Sequence, residues 1–424
     1  MPRAAAAALN IFVARFPPTF WVANTLLLPE RLAYYGSKSV LAIFVAQHVG
    51  LGTVKGMFLV GSVFNTLIYV LPLGAGPLID RIGFKRGLLV GFIILSIGYG
   101  LIFQGGAPAG QWLVESVGKT TWILLALIVA AIGGALVKPA IAAMVARATD
   151  ETSRALGFSI YYTLANIGCA LGPLAALFVQ EHMGIAFVFL AFSILSLLPA
   201  LIVAISDAEP EESVRPGART LKQILAQMAP ALFDPRFMLL LLILSGFWFT
   251  FWQLYYALPF YAEAYLDFSS YQALHSVEAW IIMLLTVPVA FLVRRLRLMS
   301  AMILGVAIAA MGWFVLALWP TITGLFVGVV VFAIGEAIHA PRFYDYVASI
   351  TPAGQTATYM GLTSLPVAIG TFAAGATSGE LVEYFVSNQN PAAPQMWYVV
   401  GACGLLTALL LLAYDAFVSA RPAR

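Results

Sequence analysis

Long apolar stretches separated by short polar breaks recur through the whole chain, and they limit its possible folds more than any other feature. A bilayer's hydrocarbon core is about 30 Å thick and a helix rises about 1.5 Å per residue, so crossing it takes roughly 20 apolar residues. Twelve stretches reach that length, near 17–47, 55–79, 86–104, 120–146, 156–180, 185–205, 237–262, 273–293, 299–318, 322–349, 358–384 and 397–418. Strands of a membrane barrel would alternate in polarity over roughly 10 residues, and these runs of Leu, Ala, Ile and Val do not. Helices satisfy their own backbone polar groups in lipid. The predicted fold is therefore an all-α membrane protein with twelve transmembrane helices. Only 10% of the residues are charged, against about 25% in soluble domains.

The basic residues set the topology. With the N-terminus inside, sixteen Lys and Arg side chains fall in inside segments: Arg3, Arg15, Arg81, Lys85, Arg86, Arg147, Arg154, Arg215, Arg219, Lys222, Arg236, Arg294, Arg295, Arg297, Arg421 and Arg424. Lys55 and Lys119 alone fall outside. This bias satisfies the positive-inside rule with both termini cytoplasmic, and it leaves a nucleic-acid partner without support. Cys169 and Cys403 lie within spans and show no metal-ligand spacing. The apolar lead Ala4–Ala14 is broken by Arg15 and lacks a cleavage pattern, so it reads as an uncleaved cytoplasmic helix. A polar interruption after Ser206 divides the chain into a six-span half, 1–206, a linker, 207–236, and a second six-span half, 237–424. In the linker, Leu221, Ile224, Leu225, Met228 and Leu232 recur at helical spacing. They read either as an amphipathic helix on the membrane surface or as a plain helical linker.

Charge at membrane depth costs about 3 kcal/mol per group on insertion scales, and groups that bear that cost usually face a substrate or ion path. The chain places Glu30 beside Arg31 in span 1, with Lys38 beyond them, Lys138 in span 4, Glu278 in span 8, and Glu336, Arg342 and Asp345 in span 10. His339 lies among the last three, and the four are three residues apart, along one helix flank. A structural reading competes at several positions. Glu30–Arg31 alone can lock two helices, Lys138 can snorkel, Glu278 can face outside water, and His339 can bond a neighbouring helix.

Between spans 2 and 3 lies Gly76-Pro77-Leu78-Ile79-Asp80-Arg81 followed by Gly83-Phe84-Lys85-Arg86. This loop resembles the signature G-x-L-a-D-r-x-G-r-k-r of the major facilitator superfamily, which implies two six-helix bundles with the cargo site near midplane between them. A narrower resemblance is to the proton-dependent oligopeptide transporter (POT) family. Glu30, Arg31, Tyr34, Tyr35 and Gly36 match its first-helix motif E-x-x-E-R-F-x-Y-Y-G, with Leu27 in place of the first Glu and Leu32 in place of Phe. Tyr69-Val70-Leu71-Pro72, the glycine-rich Gly133–Pro139 segment with Lys138, Tyr161–Gly168 with Asn166, Phe247-Trp248 with Gln253, and Gly335-Glu336 with Pro341 agree with further family elements.

The resemblance implies a secondary transporter that takes up small peptides or peptide-like zwitterions with protons. Arg31, Tyr34, Tyr35, Tyr69, Lys138, Asn166, Trp248 and Glu336 are the implied cargo-binding residues, Glu336 holding the amino end. Glu30 and Glu336 are the implied proton-coupling acids. Lys38 and Glu278 are expected to meet at the outer gate, because Trp252 stands where the family has an acid and Glu278 about where it has an Asn. Asp80, Arg342 and Asp345 are expected at the inner gate. A facilitator of another organic solute, uniporter or exporter, is the alternative that Leu27 and Trp252 favour. No cofactor, metal or enzymatic motif is implied, and the expected setting is a monomer in a bacterial inner membrane.

Overall fold

The computed structural model describes residues 16–151, 153–206, 221–352, 355–387 and 390–419. The predicted N-terminal lead-in helix, most of the linker and the C-terminal basic residues lie outside them. Among the described residues there is no strand, and eleven helical segments are long and apolar enough to cross a membrane. Span 1, Pro18–Ile43, has 26 residues, ample for a crossing at 1.5 Å each. It carries Glu30, Arg31 and Lys38, which lower its apolarity below that of the others. The described segments of span 2 occupy residues 53–82, interrupted by a π-helical stretch Phe58–Asn65. Spans 3 to 6 are Phe84–Gly106, Lys119–Arg147, Arg154–Met183 and Ile185–Ile205. Spans 7 to 10 are Pro235–Leu266, Gln272–Leu292, Leu298–Leu318 and Ile322–Ile350; span 11 runs from Thr358 to Phe385 and span 12 from Gln395 to Val418. The boundaries agree with the apolar runs to within a few residues.

The helix pairings repeat. In the first half span 3 packs on spans 4 and 6, span 1 on span 5 and span 2 on span 4; in the second half span 9 packs on spans 10 and 12, span 7 on span 11 and span 8 on span 10. Adding six to each number turns one set into the other. Small residues make the equivalent close crossings, since apolar area alone drives little association in lipid and backbones must approach closely to gain contact. A Cβ on Gly98 of span 3 would sit 2.5 Å from Ala130 of span 4, and one on Gly335 of span 10 would sit 2.3 Å from Ala309 of span 9.

The two halves touch mainly at one end. Opposite the signature loop, span 2 packs on span 11 and span 5 on span 8. A Cβ on Gly375 would meet Ser62 at 2.3 Å, Ser276 donates to the carbonyl of Ala170 at 2.7 Å, and Gln272 donates to Gln180 at 2.7 Å. Toward the signature-loop end, which also carries Arg147 and Arg294–Arg297, Tyr162 of span 5 and Tyr344 of span 10 are 57% and 44% exposed although they act on each other electrostatically. The space between the halves therefore opens to this basic end and is shut at the far end. The linker helix Leu221–Leu232 lies at the basic end, against the ends of spans 2, 7 and 11; it buries Met228 and Ala231 and leaves Leu225 and Leu232 exposed.

Candidate functional site

Span 1 brings its polar residues to the inner wall because three glycines let span 5 press against it. A Cβ on Gly168 would overlap that of Arg31 at 2.4 Å, one on Gly172 would meet the carbonyl of Leu32 at 2.7 Å, and one on Gly36 would strike Phe192 and the carbonyl of Gly172. Gly36 closes the Tyr-Tyr-Gly step and Gly168 closes the Asn166 motif, so both motifs are partly packing devices.

Glu30 and Arg31 are both buried, and Arg31 donates from Nε and from one terminal nitrogen to the two carboxylate oxygens of Glu30. The pair is a two-point ion pair of neighbours in sequence. The guanidinium also lies 5.1 Å from the ring centre of Tyr34 and 5.9 Å from that of Tyr35. Lys138, exposed to the inter-half space, sits 5.6 Å from the ring of Tyr69 and acts on Arg31 and Glu30 electrostatically. With Lys38 further along span 1, the first half thus presents three cations and one acid among its tyrosines, a net positive wall. Asn166 and Tyr162 lie one helical turn apart on span 5.

Across the space, Glu278 and Glu336 are buried in spans 8 and 10 and act on each other electrostatically. Oε2 of Glu336 has no hydrogen-bond donor among the described residues. Lys38 is the nearest-acting cation of both acids, yet it forms no direct ion pair with either. Its ammonium rests instead 3.6 Å from the ring centre of Tyr255 and 4.0 Å from that of Trp252, with Phe251 and Tyr35 at 5.3 and 5.4 Å. A cation over an aromatic face is drawn to the ring quadrupole, by about 2 kcal/mol or more when desolvated. Trp252, read in the sequence as the loss of a gate acid, is a substitute partner for the same lysine. Trp248 is half-buried beside Phe247 and Phe251, and its indole N–H has no acceptor among the described residues.

The other sequence-selected residues stay on their own bundles. Asp80 accepts from Arg147 at 2.8 Å, fastening span 2 to span 4, and Gly83 between spans 2 and 3 turns with φ +88°. Arg342 pairs with Asp345 at 3.3 Å and donates to the carbonyl of Ala290 at 3.2 Å, both within the second half. His339 is buried against Phe247, and neither ring nitrogen has a hydrogen-bond partner among the described residues. Of the polar connections between the halves that were not singled out from the sequence, one joins three spans. Asn65 donates to the hydroxyl of Tyr256 at 2.7 Å, which lies 2.6 Å from Thr371, joining spans 2, 7 and 11. Its members are ordinary residue types in apolar runs, and only the fold brings them together.

Known proteins bear on this geometry at three depths. Over 197 residues the chain is 27% identical to the dipeptide and tripeptide permease A of Escherichia coli K12, a match covering 46% of this chain and only 36% of the permease. It is 25% identical over 339 residues, 80% of each protein, to the multidrug resistance protein MdtH of Aeromonas hydrophila. Two solved structures of POT family transporters, one with a thioalcohol-conjugated peptide and one with 5-aminolevulinic acid, superpose with TM-scores of 0.77 at 17% identity, covering 94% of this chain and 96% of theirs. They share the fold. The profile of the Major Facilitator Superfamily matches residues 27–375, and with its repeated six-helix bundles the chain belongs to that superfamily.

Proposed function

We propose that this protein is a proton-coupled carrier of small peptides or peptide-like zwitterions working by alternating access. The observation that carries the reading is the opposition of two charged walls: Arg31 and Lys138 on the first half, Glu336 with Glu278 on the second, facing one space open to the basic end. A cargo with a carboxylate and an ammonium would bridge them and draw the halves together, with Tyr34, Tyr35, Tyr69, Asn166 and Trp248 along its length. Its closure would bring the basic end together, where Arg342 and Asp345 could exchange their present partners for groups on the first half. Lys38 and Glu278 would serve the far gate, and Glu30 would carry the coupled proton. The basic end is the cytoplasmic one by the positive-inside rule, in a bacterial inner membrane, and the carrier works as a monomer. The similarity to the dipeptide and tripeptide permease over 197 residues supports this reading.

The test is uptake of labelled dipeptide into proteoliposomes, preceded by a thermal-shift screen of dipeptides, amino acids and organic acids. A ligand at 100 times its dissociation constant adds about 2.7 kcal/mol of stability. Stabilisation by dipeptides and gradient-driven uptake are expected. Stabilisation by organic acids or hydrophobic amines alone would favour the second reading, a facilitator of another solute or an exporter, which Leu27, Trp252 and the similarity to MdtH over 80% of the chain support.

A further inference from the structure

Spans 7, 11 and 12 enclose a groove of about 690 Å³. Leu239, Leu242 and Gly246 of span 7 line it, on the side of that helix opposite Trp248, Trp252 and Tyr255. Along span 12 the lining recurs as Cys403, Leu406, Thr407, Leu410, Ala413 and Phe417, so one helix face runs its whole length. Ser245 donates to the carbonyl of Leu241 at 3.0 Å and Thr407 to that of Cys403 at 2.9 Å. With these hydroxyls bonded to their own helices, the walls are apolar and do not suit a polar solute. From Leu239 to Phe249 the groove follows span 7 for about 15 Å, half of the roughly 30 Å hydrocarbon core and therefore one leaflet. A spanning helix of a second copy would run through both leaflets, whereas a lipid chain runs through one. The first half repeats the depression between spans 1, 5 and 6, with about 460 Å³. Adding six to those numbers gives 7, 11 and 12, so the groove follows from the repeated packing.

The mouth of the groove at the basic end is marked by charge. Tyr414 of its wall donates to the backbone carbonyl of Arg236 at 3.2 Å, and Asp415, next along span 12, accepts from Arg297 at 3.2 Å. Arg236 and Arg297 are exposed, as are Arg294 and Arg295 in the turn before span 9. The acids of these segments are Asp415 and Asp234, and Asp234 caps span 7 by accepting from the backbone N–H groups of Arg236 and Phe237. Four arginines against two aspartates leave the mouth positive, and guanidinium groups at this depth suit a lipid phosphate. We propose that the groove binds an anionic phospholipid of the leaflet at the basic end, with one acyl chain between spans 7, 11 and 12 and the phosphate on Arg236 and Arg297. The chain supports the back of span 7, whose front carries the aromatic seat of Lys38. The site is independent of which cargo the protein carries.

The experiment uses the full-length purified protein in detergent, with dioleoyl phosphatidylglycerol and dioleoyl phosphatidylcholine as probes. Native mass spectrometry counts the lipids retained at each concentration, and the melting temperature without added lipid shows that each variant is folded. Phosphatidylglycerol is expected to bind the more tightly. Ala413→Trp places a large ring on an exposed wall of the groove and is expected to lose one bound lipid of either kind. Leu410→Trp, at a second exposed wall position, repeats this test in case the first variant does not fold. Leu304→Trp, at an exposed position of span 9 outside the groove, is expected to bind as the unmodified protein does. The double variant Arg236→Gln, Arg297→Gln is expected to weaken phosphatidylglycerol about 30-fold and to leave phosphatidylcholine unchanged, as the loss of two basic residues near an anionic headgroup implies. Unchanged phosphatidylglycerol binding in the double variant, or no lipid lost when the groove is filled, overturns the site. Inorganic phosphate that raises the melting temperature as much as phosphatidylglycerol does would mark a free-anion site, and a dimer that Ala413→Trp disperses would mark an interface between copies. Either result overturns the lipid assignment.

Discussion

The two halves repeat each other in helix pairing but not in how they hold charge. In the first half Arg31 has its acid beside it in the sequence, bonded at two points, and Lys138 is open to the inter-half space. In the second half the buried acids Glu278 and Glu336 act on each other, and Lys38, which reaches across from span 1, rests on aromatic rings of span 7. The first half is a preformed anion site whose geometry does not depend on the other. The second half holds two buried acids, and among the described residues no cation forms an ion pair with either. A carrier whose charged halves differ in this way can use one to recognise cargo and the other to respond to it.

The largest effect that could break this contrast comes from Arg31→Ala. Removing one partner of a buried ion pair leaves the other charge uncompensated, at about 3–5 kcal/mol, so Arg31→Ala is expected to lower thermal stability as well as abolish uptake. Lys138→Ala is expected to abolish uptake at nearly unchanged stability, because Lys138 is exposed and has no ion-pair partner among the described residues. Thermal unfolding and proteoliposome uptake of the two variants check this. Equal stability losses would mean that the first half is no more preformed than the second, and normal transport by either would misplace the cargo site.

Next in size is Glu336→Gln. A hydrogen bond to a charged group contributes about 1.5–3 kcal/mol, so the dissociation constant for dialanine is expected to rise roughly 10- to 150-fold, while the affinity for its N-acetylated form changes little. Competition binding on the two compounds measures the difference. A parallel loss for both would show that Glu336 supports the wall without touching the amino end.

Glu30→Gln sharpens the comparison from the other side. Uptake is expected to rise with an inward proton gradient, and this variant is expected to lose that dependence while still exchanging cargo in counterflow, because Arg31 keeps a neutral hydrogen-bond partner. Uptake at different imposed gradients, beside counterflow, gives the answer. A variant that remains gradient-driven would move proton coupling to the second half alone.

The fold was legible because lipid imposes a length and a polarity on every span, and those survive in a single sequence. Span 1 was the least apolar of the twelve and was still found, since its charges fall in the middle of a long enough run. The first-half site was legible for a related reason: Glu30, Arg31 and the tyrosines are contiguous, so their association needs no knowledge of the fold. Glu278 and Glu336 are 58 positions apart on different helices, and nothing in their spacing announces that they act on each other. The aromatic seat of Lys38 was hidden more completely. Phe251, Trp252 and Tyr255 read as ordinary residues of an apolar helix, and only the packing of span 7 against span 1 turns their faces toward an ammonium. The Asn65–Tyr256–Thr371 connection was illegible on the same grounds.

The smallest expected effect tests which partner Lys38 has. The sequence points to an ion pair with Glu278, whereas in this far-end-closed arrangement the ammonium lies over Tyr255 and Trp252 without a direct contact to Glu278. Cation–π attraction is about 0.5–2 kcal/mol, according to how fully the cation is desolvated, and groups in contact show non-additive losses that distant groups do not. Two double-mutant cycles on transport rate therefore separate the partners, one combining Lys38→Met with Trp252→Leu and the other combining Lys38→Met with Glu278→Gln. The aromatic seat predicts a coupling of roughly 0.5–2 kcal/mol in the first cycle, a change of about 2- to 30-fold in rate. If Glu278 joins Lys38 only through the space between them, the second cycle gives the smaller coupling. A dominant second cycle would mean that Lys38 leaves its rings for Glu278 in the state that limits transport, and the far gate would then be ionic, as the sequence alone leads one to expect. Strict additivity in both would remove Lys38 from the gate altogether and leave the contrast between the halves resting on Arg31 and Glu336.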